Sequence, residues 1–147
     1  MGVKAFPVSA DEAARLATLH QRCFKQSWTA AEFASLMNNP AVIGLVFTED
    51  ERDIGLTLLQ TIGSETEILT FGILPERRGL GLGYGLLQAI CDLLLASGKH
   101  NVFLEVSENN KPAVNLYLGF GFKQISVRPR YYDDGSDALI YRLALPQ

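Results

Sequence analysis

The order of predicted elements indicates a mixed α/β fold, in which about four helices flank both faces of a mostly antiparallel sheet of about seven strands. Three observations support this class. Short β-branched apolar runs alternate along the chain with amphipathic helical patterns. Three of those runs are consecutive and joined by short turns, which is typical of an antiparallel meander. A later strand, helix and strand form a βαβ crossover, whose two strands should be parallel.

The length and composition of the chain bound its class. A chain of 147 residues has the length of one domain, and we expect a single unit over residues 1–147. It is 48% hydrophobic and 20% charged, as in an ordinary globular protein. The net charge is −3 and the basic residues form no run, which argues against nucleic acid as a partner. The apolar runs are too short to span a membrane, and no targeting pattern is present, so we expect a cytoplasmic protein.

The first half of the chain is predicted to hold one strand, two helices and then three strands. Both helices open on the capping-box spacing, at Ser9 with Glu12 and at Thr29 with Glu32. Pro40 ends the second helix. The predicted bounds, in chain order, are 4–8 for the strand, 9–24 and 29–37 for the helices, and 41–48, 54–62 and 65–74 for the strands.

The second half is predicted to continue with a helix, a strand, a helix and two strands. A long helix with leucines on one broad face follows the glycine-rich stretch 79–85 and ends at Gly98. Asn109 or Asn110 caps a short helix, which we expect Gly119 to stop. The predicted bounds are 101–107 for the strand, 111–118 for the short helix, and 120–128 and 138–145 for the last strands.

The cysteines and histidines give no pattern of a catalytic triad or a metal centre. Cys23 and Cys91 fall within helical patterns, and we interpret them as reduced core thiols rather than redox or metal-binding groups. His20 and His100 are far from any Ser or Cys pattern, and we expect both at the surface. No cluster has metal-ligand spacing, so we expect no metal.

Glycines at every second position, Gly79, Gly81, Gly83 and Gly85, stand before the long helix. Such a turn can hold an anion on backbone N–H groups, helped by the helix dipole. A P-loop is excluded, because no glycine here is followed by Lys and then Ser or Thr. A dinucleotide fingerprint is disfavoured, because Leu86 stands where its third Gly or Ala belongs and three strands come before the turn. A tight turn without a ligand is the simplest alternative.

Two motifs resemble the GCN5-related N-acetyltransferase (GNAT) superfamily. Residues 78–83, RGLGLG, fit its R/Q-x-x-G-x-G/A turn, and residues 110–122 resemble its N-x-x-A-x-x-L-Y-x-x-x-G-F segment. The element order of the chain also fits the fold of this superfamily. The resemblance implies that the strand ending at Leu74 and the strand through Glu105 splay apart, with the pantetheine arm of the coenzyme in the gap.

The resemblance implies acetyl-coenzyme A as the acetyl donor, with its pyrophosphate wrapped by the glycine turn. Glycines allow the backbone to approach phosphates without a Cβ in the way. An oxyanion donor is expected among the backbone N–H groups around Ile73. The positions that match the family's donor contacts are Ile73, Arg78, Gly79, Leu80, Gly81, Leu82, Gly83, Tyr84, Asn110, Ala113 and Tyr117.

Acetyl transfer needs a neutral amine and a proton for the leaving thiolate. Glu105 is the first candidate for this chemistry, because a carboxylate between apolar residues of a strand is costly to bury unless it is paired or used. The resemblance makes Glu105 the general base. Glu67, on the preceding strand, is the alternative base. The resemblance makes Tyr117 the general acid, since a phenol of ordinary pKa near 10 keeps its proton at neutral pH. The competing interpretations are purely structural: Glu105 would form an ion pair, and Tyr117 would only pack against its neighbours.

The similarity reaches the bacterial enzymes that acetylate the N-terminal alanine of a ribosomal protein. Residues 24–28, 104–107 and 130–132 stand where those enzymes carry F-x-x-S-W, L-E-V-R and N-Y-Y, although Ser107 replaces the Arg and the loop 133–137 is short. We therefore expect the acceptor to be the N-terminal α-amine of a protein, and specifically of a ribosomal protein. A lysine side chain, a small amine, or a non-catalytic acyl-coenzyme A sensor are the alternatives. The expected acceptor-binding residues are Trp28, Glu67, Tyr131 and Tyr132.

Overall fold

The computed structural model describes residues 2–146 and shows, over that range, a seven-stranded sheet flanked by four α-helices. The sheet order is β1-β2-β3-β4-β5-β7-β6, and every neighbouring pair is antiparallel except β4 and β5. The predicted fold class and element order are confirmed. The strands are β1 (Val3–Val8), β2 (Val42–Glu49), β3 (Arg52–Ile62), β4 (Glu65–Ile73), β5 (Asn101–Ser107), β6 (Lys123–Arg128) and β7 (Ala138–Ala144). The helices are α1 (Ala13–Cys23), α2 (Ala30–Met37), α3 (Leu82–Ala96) and α4 (Lys111–Phe120), with 3₁₀ turns at Ala10–Glu12 and Pro75–Arg77.

The parallel strands β4 and β5 separate part-way along their length. Their pairing runs only from Glu65 opposite Asn101 to Ile68 opposite Leu104. On the other side of β4 the register with β3 shifts, which leaves Leu69 as an extra residue in β4. Such a bulge bends a strand and increases its twist. The splayed central pair is therefore present, and a gap opens beyond Ile68.

Two buried cores lie on the two faces of the sheet. The core under α3 and α4 includes Leu87, Ile90 and Leu104. The core under α1 and α2 includes Leu16 and Phe33, and its buried members from the sheet come from β2 and β3. Among the described residues, this second core contains none from β5, β6 or β7. That end of the α1/α2 face is therefore left without a helix packed on it.

Two local expectations are corrected. Ser9 Oγ accepts from the N–H of Asp11 at 3.3 Å, and the Glu12 carboxylate pairs with Arg15 instead of closing a capping box. A 3₁₀ turn accordingly precedes α1. The second predicted capping box, at Thr29, is present with both of its bonds.

The second correction concerns the end of α4. Gly119 lies inside this helix, which continues to Phe120 and ends at Gly121 with φ of +123°. A residue with positive φ is disfavoured unless it is glycine, so the chain turns where that conformation is required. Because α4 is longer than predicted, β6 starts at Lys123. No helix within residues 2–146 is both long and apolar enough to cross a membrane.

Candidate active site

A cavity of about 460 Å³ lies between the end of β4, the glycine turn and the first half of α4. Most positions that the sequence assigned to the acetyl donor line this cavity. They are Ile73, Arg78, Gly79, Gly81, Leu82, Gly83, Tyr84, Asn110, Ala113 and Tyr117. The exception is Leu80, whose side chain is exposed on the turn.

The glycine turn has the backbone conformation of an anion cradle. Gly79 and Gly81 have φ of +77° and +78°, and Gly81 is the N-cap of α3. A Cβ built at either position would meet no atom within 4 Å, so the space over the turn is open. Gly83 differs, because its Cβ would lie 2.9 Å from Leu116 Cδ2 on α4. The first N–H groups of α3 lack helical partners and are available to an anion there.

The Arg78 side chain is part of the cavity wall. Its Nε donates to the carbonyl of Ile73, and its Nη2 donates to the carbonyl of Cys23, both at 2.9 Å. The guanidinium therefore joins the end of β4 to the end of α1. The neighbouring Arg77 pairs with Glu49 on β2, and its buried Nε has no hydrogen-bond partner.

Tyr117 reaches the cavity from α4. Its side chain is 7% exposed and meets the rings of Phe71 and Phe122 edge to face. Burial raises the pKa of Tyr117 above its ordinary value, because the phenolate would lose its hydration. The phenol is therefore neutral over the physiological pH range and can donate a proton to a group in the cavity.

The backbone of Ile73 also faces the gap. The N–H of Leu74 donates to Ile54 at 2.8 Å, on the β3 side. Successive N–H groups of a strand point to opposite sides, so the N–H of Ile73 points toward the side where β5 no longer pairs. This N–H is a donor placed beside the cavity.

The two candidate bases lie together on the other face of the sheet. Leu104 and Val106 are buried under α3 and α4, so Glu105 between them points to the opposite face, where Glu67 also lies. Helices were expected on both faces of the sheet, but the described residues of the α1/α2 core include none from β5, and the Glu105 side chain is 23% exposed. Glu105 follows Leu104, the last residue of β5 that pairs with β4.

Arg128, Tyr131 and Tyr132 complete this group, which we name the carboxylate cluster together with Glu67 and Glu105. Arg128 Nε lies 3.1 Å from Glu105 Oε1, and its guanidinium lies over the Tyr131 ring at 5.4 Å. The two tyrosine rings meet edge to face at 5.2 Å. Partial burial and then the charge of Glu105 raise the pKa of Glu67, and Arg128 lowers it. Burial and Glu105 also raise the pKa of Tyr132.

Trp28 belongs to a different cluster, and so does a histidine that was expected at the surface. His20 is 3% exposed, and its Nδ1 accepts from the backbone N–H of Trp28 at 3.1 Å. The proton of the ring is therefore on Nε2, which donates to Thr70 Oγ1 at 3.2 Å. Desolvation lowers the pKa of His20 to about 4. The signal was present in the sequence, because His20 is four residues after Leu16 on the apolar face of α1.

Sequence reasoning missed several cavity and cluster residues. Cys23, Phe24 and Phe71 line the cavity, and a Cβ at Gly72 would lie 2.9 Å from the Phe24 ring. A glycine inside an apolar strand is a signal of such a close approach. Arg128 had no comparable signal in the sequence.

Two further expectations concern the state of the cysteines and the presence of a metal site. Cys23 is half-buried and Cys91 buried, both with free thiols. Desolvation raises the pKa of both, that of Cys91 to about 11, which disfavours the thiolate. Within residues 2–146 no group of three His, Cys, Asp or Glu side chains is arranged to hold a metal ion.

Comparison with known proteins identifies the family. The model of the acetyltransferase (GNAT) family matches residues 13–122. A ribosomal protein bS18-alanine N-acetyltransferase from Haemophilus ducreyi is 31% identical over 137 residues, which are 89% of this chain and 92% of that protein. An N-alpha-acetyltransferase from Sulfurisphaera tokodaii is 38% identical over 92 residues, which are 62% of this chain and 54% of that protein. The match thus spans about half the length of this second relative.

Solved structures share the fold over nearly the whole chain. The ribosomal-protein-S18-alanine N-acetyltransferase of Escherichia coli superposes with a TM-score of 0.90, at 24% identity, over 99% of this chain and 96% of that one. Ard1 from Thermoplasma volcanium superposes with a TM-score of 0.86, at 23% identity, over the full length of both chains. With the family match, these findings show that the chain belongs to the GNAT family of acetyltransferases.

Proposed function

We propose that this acetyltransferase moves an acetyl group from acetyl-coenzyme A to the N-terminal α-amine of a protein, with a ribosomal protein as its acceptor. The observation that carries the proposal is the cavity, which joins an open glycine turn at a helix N-terminus to the buried phenol of Tyr117. The names of the relatives from Haemophilus ducreyi and Sulfurisphaera tokodaii support the acceptor class.

The cavity fits the chemistry of an acyl-coenzyme A. Gly79 and Gly81 offer an open cradle for a pyrophosphate, and the first turn of α3 adds free N–H groups. The wall between this turn and Tyr117 is formed by apolar side chains and backbone, including Ile73 and Leu116, which suits an extended pantetheine arm. Acetyl-coenzyme A would supply the acetyl group as a thioester.

Two groups of the chain would act on the thioester end. The backbone N–H of Ile73 would stabilise the negative charge that develops on the carbonyl oxygen, as a preorganised donor does. Tyr117 would give its proton to the departing sulfur. Burial favours the neutral phenol, so Tyr117 still carries this proton when the thiolate forms.

The acceptor would approach from the opposite face, over the carboxylate cluster. Glu105 would accept the proton of the amine, directly or through water, with Glu67 as the second carboxylate. An α-amine has an ordinary pKa of about 7.7–8.0, against about 10.4 for lysine, so less base strength is required. The half-exposed Tyr131 and its neighbour Tyr132 would flank the incoming chain.

The donor is tested by thermal shift. Acetyl-coenzyme A and coenzyme A should raise the unfolding temperature, because a ligand that binds only the folded state stabilises it, whereas a nicotinamide dinucleotide should not. Stabilisation by the dinucleotide alone would rule out the proposed donor.

The acceptor is tested with paired peptides. Peptides that begin with Ala-Arg and contain no lysine should be acetylated, whereas the same peptides blocked at the N-terminus and given an internal lysine should not. Acetylation confined to the blocked set would exclude the α-amine. Protein bS18 with a free or a blocked N-terminal alanine provides the same comparison on a whole acceptor.

A further inference from the structure

The carboxylate of Glu105 is held by a side chain that comes from two strands away. Arg128 lies on β6 and Glu105 on β5, with β7 between them. In the register of the sheet, Arg128 stands opposite Ala138, and Ala138 stands opposite Ser107. The intervening residue is small and fully buried, so the arginine stem can cross β7 to reach Glu105.

The carboxylate cluster holds more negative charges than positive ones. Glu67 and Glu105 contribute two carboxylates, and Arg128 is the cation that acts on both. Two neighbouring carboxylates repel each other and are stabilised by a cation between them. With Arg128 alone the cluster keeps a net charge of −1, which favours a further positive group such as a protonated amine.

The contacts of Arg128 are weak enough to open. Its side chain is 55% exposed, and the Tyr131 side chain beneath its guanidinium is also exposed. Exposed ion pairs contribute little, because water solvates both ions well when they separate. Rotation of the arginine into solvent would free Glu105 without leaving a buried unpaired cation.

We propose that Arg128 stands in for the ammonium group of the acceptor in the free enzyme, and that the acceptor displaces it from Glu105. This inference rests on the proposed function, since it assigns the carboxylate cluster to acceptor binding. An amine that hydrogen-bonds to the same carboxylate would compete with the guanidinium and be repelled by its charge. Arg128 thereby makes acceptor binding weaker than the carboxylates alone would allow.

The test measures peptide binding without turnover. An Ala-Arg peptide is titrated calorimetrically into wild-type protein and into Arg128→Gln, in the absence of donor. Binding should be about two- to five-fold tighter to Arg128→Gln, which is the range expected for losing an exposed ion pair. Arg128→Lys should bind like the wild type, because it retains a cation.

Two controls make the result specific. Lys123→Gln removes the same charge from the other end of β6 and should leave the affinity unchanged. The N-terminally acetylated peptide has no ammonium group, so Arg128→Gln should not tighten its binding. Circular dichroism confirms that each variant is folded.

Failure of this inference is distinguishable from failure of the proposed function. Equal or weaker binding of the free peptide to Arg128→Gln would overturn the displacement, whatever the activity. Equal tightening of the free and acetylated peptides would overturn it as well. Absence of acetyl transfer by the wild type, measured separately with acetyl-coenzyme A, would count against the proposed function. In steady-state assays the acceptor KM should fall for Arg128→Gln, with the acetyl-coenzyme A KM unchanged.

Discussion

The imidazole of His20 accepts the backbone N–H of Trp28 at 3.1 Å and stacks on its indole ring at 4.8 Å. The same imidazole donates to Thr70 on β4. One buried ring therefore holds the loop between α1 and α2 against the strand that carries Phe71, Gly72 and Ile73 to the cavity. This connection leads to the first two predictions.

Replacing His20 by alanine should destabilise the fold. His20→Ala removes the ring from its contacts with three aromatic side chains and leaves the N–H of Trp28 without its acceptor. We expect a loss of about 2–4 kcal/mol in the free energy of unfolding, measured with urea. His100→Ala, at an exposed position, should change it by less than about 0.5 kcal/mol. Equal effects of the two substitutions would contradict the structure.

The stability of the protein should fall in mild acid through His20. Its pKa is about 4 in the folded state against an ordinary value of 6.5, so the folded state disfavours the charged ring. The contribution of neutral His20 to the free energy of unfolding is therefore complete above pH 6.5. It is lost as the pH falls toward 4, by up to about 3 kcal/mol. His20→Phe keeps an aromatic ring but cannot titrate, and its stability should fall less steeply over this range. Parallel curves from chemical denaturation would rule out His20 as the cause.

Removing the hydroxyl group of Tyr117 should slow transfer without weakening donor binding. General acid catalysis accelerates a reaction by about 10²–10⁴-fold, so the kcat of Tyr117→Phe should fall by at least about 10²-fold. The KM for acetyl-coenzyme A should change little, because the ring and its packing remain. Tyr141→Phe, at a buried tyrosine on β7, is the matched control and should keep kcat. Full activity of Tyr117→Phe across pH 6–9 would reject the proposed acid.

The two carboxylates should differ in their effect on catalysis. Glu105→Gln should lower kcat/KM by about 10²-fold, and Glu67→Gln by less than about 10-fold, if Glu105 is the base. Initial rates over a range of acceptor concentrations, at saturating donor, measure both. If Glu67→Gln lowers kcat/KM more than Glu105→Gln does, the base is Glu67. If both variants keep full activity, neither carboxylate acts as a general base.

A methyl group on the glycine turn should weaken donor binding more than it weakens the fold. Gly81→Ala forces alanine into a left-handed conformation, at a cost of about 1–2 kcal/mol, and places a Cβ in the open space over the turn. We expect the Kd for acetyl-coenzyme A, measured calorimetrically, to rise at least about ten-fold.

Gly85→Ala is the control for this comparison. Gly85 is helical in α3, and a Cβ there would meet no atom within 4 Å. That substitution should stabilise the protein by about 0.5–1 kcal/mol and leave the Kd unchanged. Unchanged affinity of Gly81→Ala would remove the turn from the donor site.

Much of the architecture follows from local sequence patterns. The element order, the antiparallel meander and the parallel β4–β5 pair were predicted because periodicity and turn residues act over a few neighbouring positions. The glycine turn was identified by the same local reasoning, and in the structure it lines the cavity. Gly119 shows the limit of this reasoning, because the helix continued past it to the position at Gly121 where positive φ was required.

Contacts between distant segments were decided only by the tertiary structure. His20 meets Thr70 fifty positions away, and Arg128 crosses a strand to reach Glu105. The tertiary structure also put Tyr117 and Glu105 on opposite faces of the sheet, although each was identified from its motif. A motif identifies a residue and its element, whereas side-chain partners depend on strand order, register and helix packing, which bring together residues that are far apart in the chain.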